Sequence, residues 1–188
     1  MKFKVFRFNK VESTNNTAIS LLKKTNCKYG MVISELQNNG RGQYGRKWIS
    51  YKGNLFISFF YLLDNFNLTL NQLTRINCLL IKKLISKYYK GTIYYKKPND
   101  LLIFKKKICG ILQEIVTKID KRYLIVGIGM NLIKSPKITN YPTTNLYEII
   151  NKKIPKKIIE RELKKIFEVR LSRFYKSNKK QGKYVHFR

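Results

Sequence analysis

The sequence predicts an α+β domain in which a largely antiparallel sheet is flanked by helices, and three features predict it. Apolar runs between Thr92 and Met130 follow one another with only turns between them, the pattern of an antiparallel meander. Two segments, Leu70 to Tyr89 and Pro155 to Tyr175, carry apolar residues at three- and four-residue steps, the period of amphipathic helices that cover a sheet. The length, 188 residues at 44% hydrophobic content, is that of one sizeable globular unit.

Taken in order, Lys2 to Asn9 alternates Phe3, Val5 and Phe8 loosely with basic residues. Glu12-Ser13-Thr14-Asn15 then offers hydroxyl and amide oxygens of the kind that cap a helix, and a short helix over Asn16 to Lys24 follows. Gly30 to Leu36 reads as a strand, and Asn54 to Leu63, with its run Leu-Phe-Ile-Ser-Phe-Phe-Tyr, as a long apolar strand of the same sheet. The helix over Leu70 to Tyr89 presents Leu73, Ile76, Leu80, Leu84 and Tyr88, with Lys82, Lys83 and Lys87 in the gaps. The meander comprises Thr92 to Lys96, Leu101 to Phe104, Ile108 to Thr117 and Arg122 to Met130, the last pair joined by a charged turn at Lys118 to Lys121. In the closing helix, Ile158, Ile159, Leu163, Ile166, Phe167, Leu171 and Phe174 fit a 3.6-residue period. Tyr94-Tyr95 and Phe59-Phe60-Tyr61 are accounted for as strand packing by their β-propensity. A loose basic tail is expected over Lys176 to Arg188, and His186 within it has no partner near in sequence to make it a general base.

Forty Lys and Arg face ten Asp and Glu, a formal net charge of +30. Such a balance suits phosphate contacts with a nucleic acid or steering toward an acidic protein partner. The excess is nonetheless spread along the whole chain as Lys, beside abundant Ile, Asn, Tyr and Phe, which is what AT-rich coding produces in any protein. Arg, the better reader of phosphates and bases, is much scarcer. Cys27, Cys78 and Cys109 stand at wide, unmatched spacing that suggests neither a disulfide framework nor a zinc site, and they read as reduced, buried thiols. No basic-then-apolar leader opens the chain and no apolar run reaches the ~18 residues of a membrane span, so a cytoplasmic protein without membrane attachment is expected.

The densest chemistry lies in Gln37 to Trp48, which reads Gln-Asn-Asn-Gly-Arg-Gly-Gln-Tyr-Gly-Arg-Lys-Trp. Its glycines let the backbone adopt φ > 0 and let a ligand approach the main chain. Arg41 and Arg46 supply forked donors, Lys47 adds charge, and Trp48, the only tryptophan, adds a flat face. The combination suits an anion carrying a ring. Further clusters stand at strand ends: Ser13-Thr14-Asn15, Lys97-Pro98-Asn99-Asp100, Lys107-Ile108-Cys109-Gly110-Ile111 and Gly127-Ile128-Gly129-Met130-Asn131. Alone, each is ordinary capping, turn or close-packing chemistry. Their order along one chain is not.

In that order they resemble the catalytic domain of biotin protein ligases, also called biotin–[acetyl-CoA-carboxylase] ligases, over roughly Phe8 to Phe174. Members of that family carry a Gly-Arg-Gly-Arg-x-Gly-Arg-x-Trp-like loop, here Gly40 to Trp48, and a Lys-Trp-Pro-Asn-Asp-like turn, here Lys96 to Asp100. A Lys-x-x-Gly-Ile-Leu-x-Glu strand, here Lys107 to Glu114, and the Gly-x-Gly-x-Asn segment at Gly127 to Asn131 complete the set. The resemblance implies a mixed sheet flanked by helices, class II aminoacyl-tRNA synthetase-like. It also implies an enzyme that makes biotinyl-5′-AMP from biotin and ATP with Mg²⁺, then passes biotin to one lysine of a biotin carboxyl carrier protein of acetyl-CoA carboxylase.

Carried over residue by residue, the resemblance implies catalytic roles for Lys107, Arg41 and Arg46, cations that screen the carboxylate and phosphoryl charge brought together in the first step. Biotin would be bound by Ser13, Thr14, Asn15 and Gln37 with Arg41, Gly42, Gln43 and Lys107. ATP would meet Arg46, Trp48, Asn99 and Asn131, with Asp100 a candidate metal ligand, while Gly110 and Gly129 would admit the ligand close to the backbone. Two positions depart from the family pattern. Gln43 replaces an arginine that helps retain the adenylate, which implies a leakier intermediate or compensation by a neighbouring lysine, and Lys97 replaces a tryptophan. The match spans residues 1–175 as the catalytic domain, with no segment matching the N-terminal helix-turn-helix module or C-terminal barrel of many relatives, so specific DNA binding is not expected. The chain is expected to act as a monomer or homodimer. Competing readings are a lipoate or octanoate ligase or transferase on a related fold, and a nucleic-acid-binding module relying on charge and 13% aromatic content.

Overall fold

The computed structural model describes residues 1–63 and 68–182, with residues 176–182 described by their backbone. A single seven-stranded sheet runs in the order β1-β2-β3-β7-β6-β5-β4, built from β1 (Lys4–Val11), β2 (Tyr29–Gln37), β3 (Leu55–Leu62), β4 (Tyr94–Lys96), β5 (Asp100–Ile103), β6 (Lys106–Lys118) and β7 (Lys121–Met130). Only β1 and β2 are parallel; every other pair is antiparallel. The sheet is therefore mixed and largely antiparallel, as expected. The helices are α1 (Thr14–Lys24), α2 (Leu70–Ile85), α3 (Leu146–Ile150) and α4 (Lys156–Gly182).

The β1–β2 pair is parallel because α1 intervenes, returning the chain to the same end of the sheet. The two hairpins flanking β6 turn through residue pairs that both have positive φ, Phe104-Lys105 and Ile119-Asp120, the conformation that matches strand twist in two-residue connections. β3 is buried along nearly its whole length, which explains an apolar run without alternation. On one face, Phe59, Leu124 and Val126 pack with Leu73, Ile81, Leu163 and Phe167 of α2 and α4. Phe59 and Phe167 stack at 4.2 Å and 9°. On the other face, Val32, Phe60, Tyr123 and Ile125 pack with Ala18 and Leu22 of α1.

Three expectations need correction. The buried face of α2 is Leu73, Thr74, Asn77, Cys78, Ile81, Leu84 and Ile85, rotated from the predicted stripe. α4 lies alongside, and Ile76 and Leu80 line the groove between the two helices rather than the sheet contact. The closing helix does not stop at Tyr175 but runs on to Gly182, because Lys176, Lys179, Lys180 and Gln181 are good helix formers and no glycine or proline precedes Gly182; the rest of the expected tail, with His186, lies outside the described residues. α3 was not expected, since five residues are too few to show a period; Asn145 caps it by accepting from the Glu148 N–H at 2.9 Å.

The α1 face of the sheet holds an opening. Tyr123, Ile125, Gly127 and Gly129 alternate along β7 toward this face, and the first two are large and pack against α1. The last two are glycines lying opposite Leu112 and Gly110 of β6 and Ser58 and Phe56 of β3. Beyond the start of α1, β7 thus presents glycines at Gly127 and Gly129, and a depression forms between Ser13 to Asn15 and the Gly40 to Trp48 loop.

Candidate active site

That depression is a cavity of about 700 Å³. The structure brings into its lining Ser13, Thr14, Asn15, Gln37, Arg41, Gly42, Gln43, Arg46, Trp48, Asn99, Asp100, Lys107, Gly110 and Gly129, residues from five separate stretches of sequence. Asn131 is not among them. It is 2% exposed, and its amide donates to the Thr144 carbonyl at 3.1 Å and accepts from Asn54 at 3.4 Å, so it braces the segment after β7. Asn99 lines the cavity but donates its amide to the Ile111 carbonyl at 2.6 Å. A larger groove of about 750 Å³ lies between α2 and α4, on the opposite side of the sheet and away from every motif singled out above.

The Gly40 to Trp48 loop is a small hairpin. Trp48 N–H donates to the Gly40 carbonyl at 2.8 Å and Gly42 N–H to the Arg46 carbonyl at 2.6 Å. Tyr44 at the tip has φ 55 and is 86% exposed. The fold-back lays the Trp48 ring on the floor of the sheet. A methyl group at Gly129 would lie 2.4 Å from that ring, and one at Gly127 would lie 2.3 Å from Asn15 Oδ1, so only glycine at these β7 positions admits both side chains. The indole N–H is buried without a partner.

The wall formed by the start of α1 is neutral and largely hydrogen-bonded within itself. Thr14 donates to Gln37 Oε1 through both its backbone N–H (2.8 Å) and its hydroxyl (3.0 Å). Ser58 Oγ lies 2.6 Å from Asn15 Oδ1 and 2.8 Å from Thr14 Oγ1. Ser13 is the N-cap residue of α1 by position, but its side chain makes no capping bond, which leaves its hydroxyl to the cavity.

Two of the cations, Arg41 and Lys107, are already paired. The two Glu114 carboxylate oxygens lie 2.8 and 2.7 Å from Arg41 Nη2. Lys107 Nζ lies 2.9 Å from Asp100 Oδ1, an ion pair outside hydrogen-bond alignment, so Oδ1 has no hydrogen-bond donor. The same ammonium sits 5.2 Å from the Trp48 ring centre and 5.5 Å from that of Tyr141. Asp100 Oδ2 accepts from the Tyr141 hydroxyl at 2.6 Å. Burial and the Asp100 carboxylate push the Tyr141 phenol upward, which keeps it a neutral donor. Two residues that sequence reasoning left without a role, Glu114 and Tyr141, therefore organise the site. Glu114 stood inside a quoted motif, while Tyr141 lies in a segment with no motif at all.

The sequence profile of the Biotin/lipoate A/B protein ligase family matches residues 6–131, which is most of the chain. The chain belongs to that family. Among curated relatives, the bifunctional ligase/repressor BirA of Escherichia coli is 32% identical over 125 residues, covering 65% of this chain and 38% of that protein; the chain thus matches about two fifths of the relative's length. Among solved structures, the biotin protein ligase from Aquifex aeolicus in complex with biotin and ATP is 31% identical, with a TM-score of 0.77 over 91% of this chain and 71% of that one. The biotin protein ligase of Leishmania major in complex with biotin is 26% identical, with a TM-score of 0.72 over 85% of this chain and 70% of that one. The sheet and helices described above are the ligase catalytic-domain fold.

Proposed function

We propose that the chain is an ATP-dependent biotin protein ligase, which activates biotin as biotinyl-5′-AMP and transfers it to a lysine of a biotin carboxyl carrier protein. The observation that carries this reading is that one cavity is lined both by the neutral side chains Thr14, Asn15 and Gln37 and by the basic side chains Arg46, Lys47 and Lys107, with the Trp48 ring beside them. A neutral ring with a carboxylate tail, placed beside a nucleotide phosphate, matches that lining.

In the first step a biotin carboxylate oxygen attacks the α-phosphorus of ATP, the new acyl–phosphate bond forms, and the bond to the bridging oxygen breaks to release pyrophosphate. Two anions must meet, and Lys107 is held where its ammonium would bridge them, its rotamer fixed by Asp100, Trp48 and Tyr141. Arg46 would face the nucleotide phosphates. In the second step the carrier lysine amine attacks the acyl carbon, an amide forms, and AMP and a proton leave. No side-chain nucleophile is needed. Asn99 and Asn131 serve this reading as braces, through Ile111 and Thr144.

Mg²⁺ belongs to the reading as the companion of ATP. Asp100 suits it poorly, since Lys107 and Tyr141 already engage both carboxylate oxygens, and among the described residues no group of three His, Cys, Asp or Glu side chains could hold a metal ion. Nucleotide oxygens would be the main ligands. Among the described residues no helix is long and apolar enough to cross a membrane. Cys27, Cys78 and Cys109 are free thiols, which supports placing the reaction in the cytoplasm.

ATP–pyrophosphate exchange tests the reading. Exchange is expected only with biotin present, falling at least a hundredfold in Lys107→Ala, about 2.7 kcal/mol or more at the transition state. Exchange with lipoate in place of biotin, or none with either, overturns it.

A further inference from the structure

Glu114 stands one step outside the cavity. Gly110, Leu112 and Glu114 alternate on one face of β6, and the first two line the cavity. The Glu114 carboxylate receives Arg41 Nη2 at 2.8 and 2.7 Å and Asn15 Nδ2 at 2.6 Å. It therefore ties the glycine loop and the start of α1, far apart in sequence, to the same strand.

The consequence reaches further than the contacts. A carboxylate only accepts, so Asn15 must turn its NH₂ group toward Glu114. The Leu112 carbonyl, at 3.3 Å, takes the other hydrogen. Asn15 Oδ1 then faces Ser58 Oγ at 2.6 Å, where it accepts the serine proton. Gln37 is set separately: the Thr14 backbone N–H donates to its Oε1 at 2.8 Å, so its NH₂ group is presented as donor, with only a long 3.5 Å approach to Ser50 Oγ. Arg41 is directed likewise: its Nη2 is occupied by Glu114, and its Nε is buried without a hydrogen-bond partner. Because Glu114 balances its charge, Arg41 brings directed N–H groups rather than net charge. In a chain with forty basic and ten acidic residues, an acid at this place runs against the composition.

We infer that Glu114 is a positioning residue, which aims the Arg41 guanidinium and holds the Asn15 amide with its oxygen turned to Ser58, fixing the side of the neutral wall next to Arg41. This rests on the ligase reading above.

The test compares Glu114→Gln, which keeps the size and one acceptor oxygen, with Glu114→Ala. In biotin-dependent exchange the alanine variant is expected to raise the KM for biotin roughly tenfold or more, with a smaller change in kcat and partial recovery in the glutamine variant. A biotin KM within twofold of the parent in a folded Glu114→Ala variant overturns the inference, as does a drop in Tm with no change in KM. A second readout needs no activity: iodide quenching of the sole tryptophan, Trp48, and tryptic cleavage after Arg41 in the ligand-free chain. Both are expected to rise in Glu114→Ala, and to a lesser degree in Glu114→Gln. Unchanged loop accessibility overturns the inference even if the parent shows no exchange, an outcome that by itself would count against the ligase reading alone.

Discussion

Gln43 lies half-buried in the cavity wall, an amide where the resembled family carries a guanidinium. A charge-assisted contact to a phosphate is worth about 1.5–3 kcal/mol, so on the ligase reading proposed above Gln43→Arg should slow release of biotinyl-AMP by roughly tenfold or more, read by filter retention of the labelled intermediate. An unchanged release rate refutes the leaky-site idea. Ile119 illustrates local strain of another kind. It is β-branched, 82% exposed and held at φ 46, a conformation that asparagine tolerates far better. Ile119→Asn should therefore stabilise the fold by about 1 kcal/mol, seen as a higher urea midpoint; an equal or lower midpoint would show that the turn is not strained. At this scale the sequence displayed Arg41, Lys107 and Gln37 through motif spacing. Glu114 and Tyr141 were not legible as site residues, because what they do is touch other side chains, and those contacts form only when distant segments meet.

The elements are held by particular contacts more than by propensity. α4 docks through Phe167, stacked on Phe59, and through its acids. Glu160 pairs with Arg7 at 2.6 Å, Glu168 accepts from the Phe3 N–H at 2.8 Å, and Glu162 accepts from Tyr88 and Lys87. Burial alone would raise the Glu162 carboxyl, but those two donors bring it below its ordinary value. Phe167→Ala should cost about 3–5 kcal/mol, measured by urea unfolding. A loss below 1 kcal/mol would mean that α4 is held by its ion pairs instead. The strands of the meander and both long helices were readable from periodicity, whereas the buried face of α2 was not. Thr74 and Asn77 are polar, so a hydrophobic pattern places them outward; the structure buries Thr74 with the Leu70 carbonyl and Gln113 as partners, buries Asn77 with its amide nitrogen unpartnered, and leaves Ile76 and Leu80 lining the groove beside α4.

Across the molecule, the charge balance has a structural counterpart. Glu12, Glu35, Asp100, Glu114, Glu148, Glu160, Glu162 and Glu168 each hold a hydrogen-bond or ion-pair partner. Each of these acids serves as an acceptor for its partner, while lysine is spread along the whole chain. A pH dependence follows from the buried thiols. Burial pushes Cys78 from an ordinary 9.0 up to about 12, and Cys109 also moves well upward. The folded chain therefore keeps protons that the unfolded chain releases above about pH 9. This contribution is full below that pH and is lost as pH rises toward about 12. The difference in urea midpoint between the parent and a Cys78→Ala/Cys109→Ala variant should shrink or reverse over that range, and a constant difference would contradict the assignment.

The sequence by itself determined the class of the fold, the long elements and the loop that carries the chemistry, because periodicity, turn residues and motif spacing are properties of neighbours along a chain. Only the tertiary structure decided where the cavity opens, which cations arrive already paired, and why Asn131 stands behind the site instead of in it. Those outcomes depend on strand register and on glycines at Gly127 and Gly129 that leave room for Asn15 and Trp48, and no run of residues contains that information until the sheet has formed.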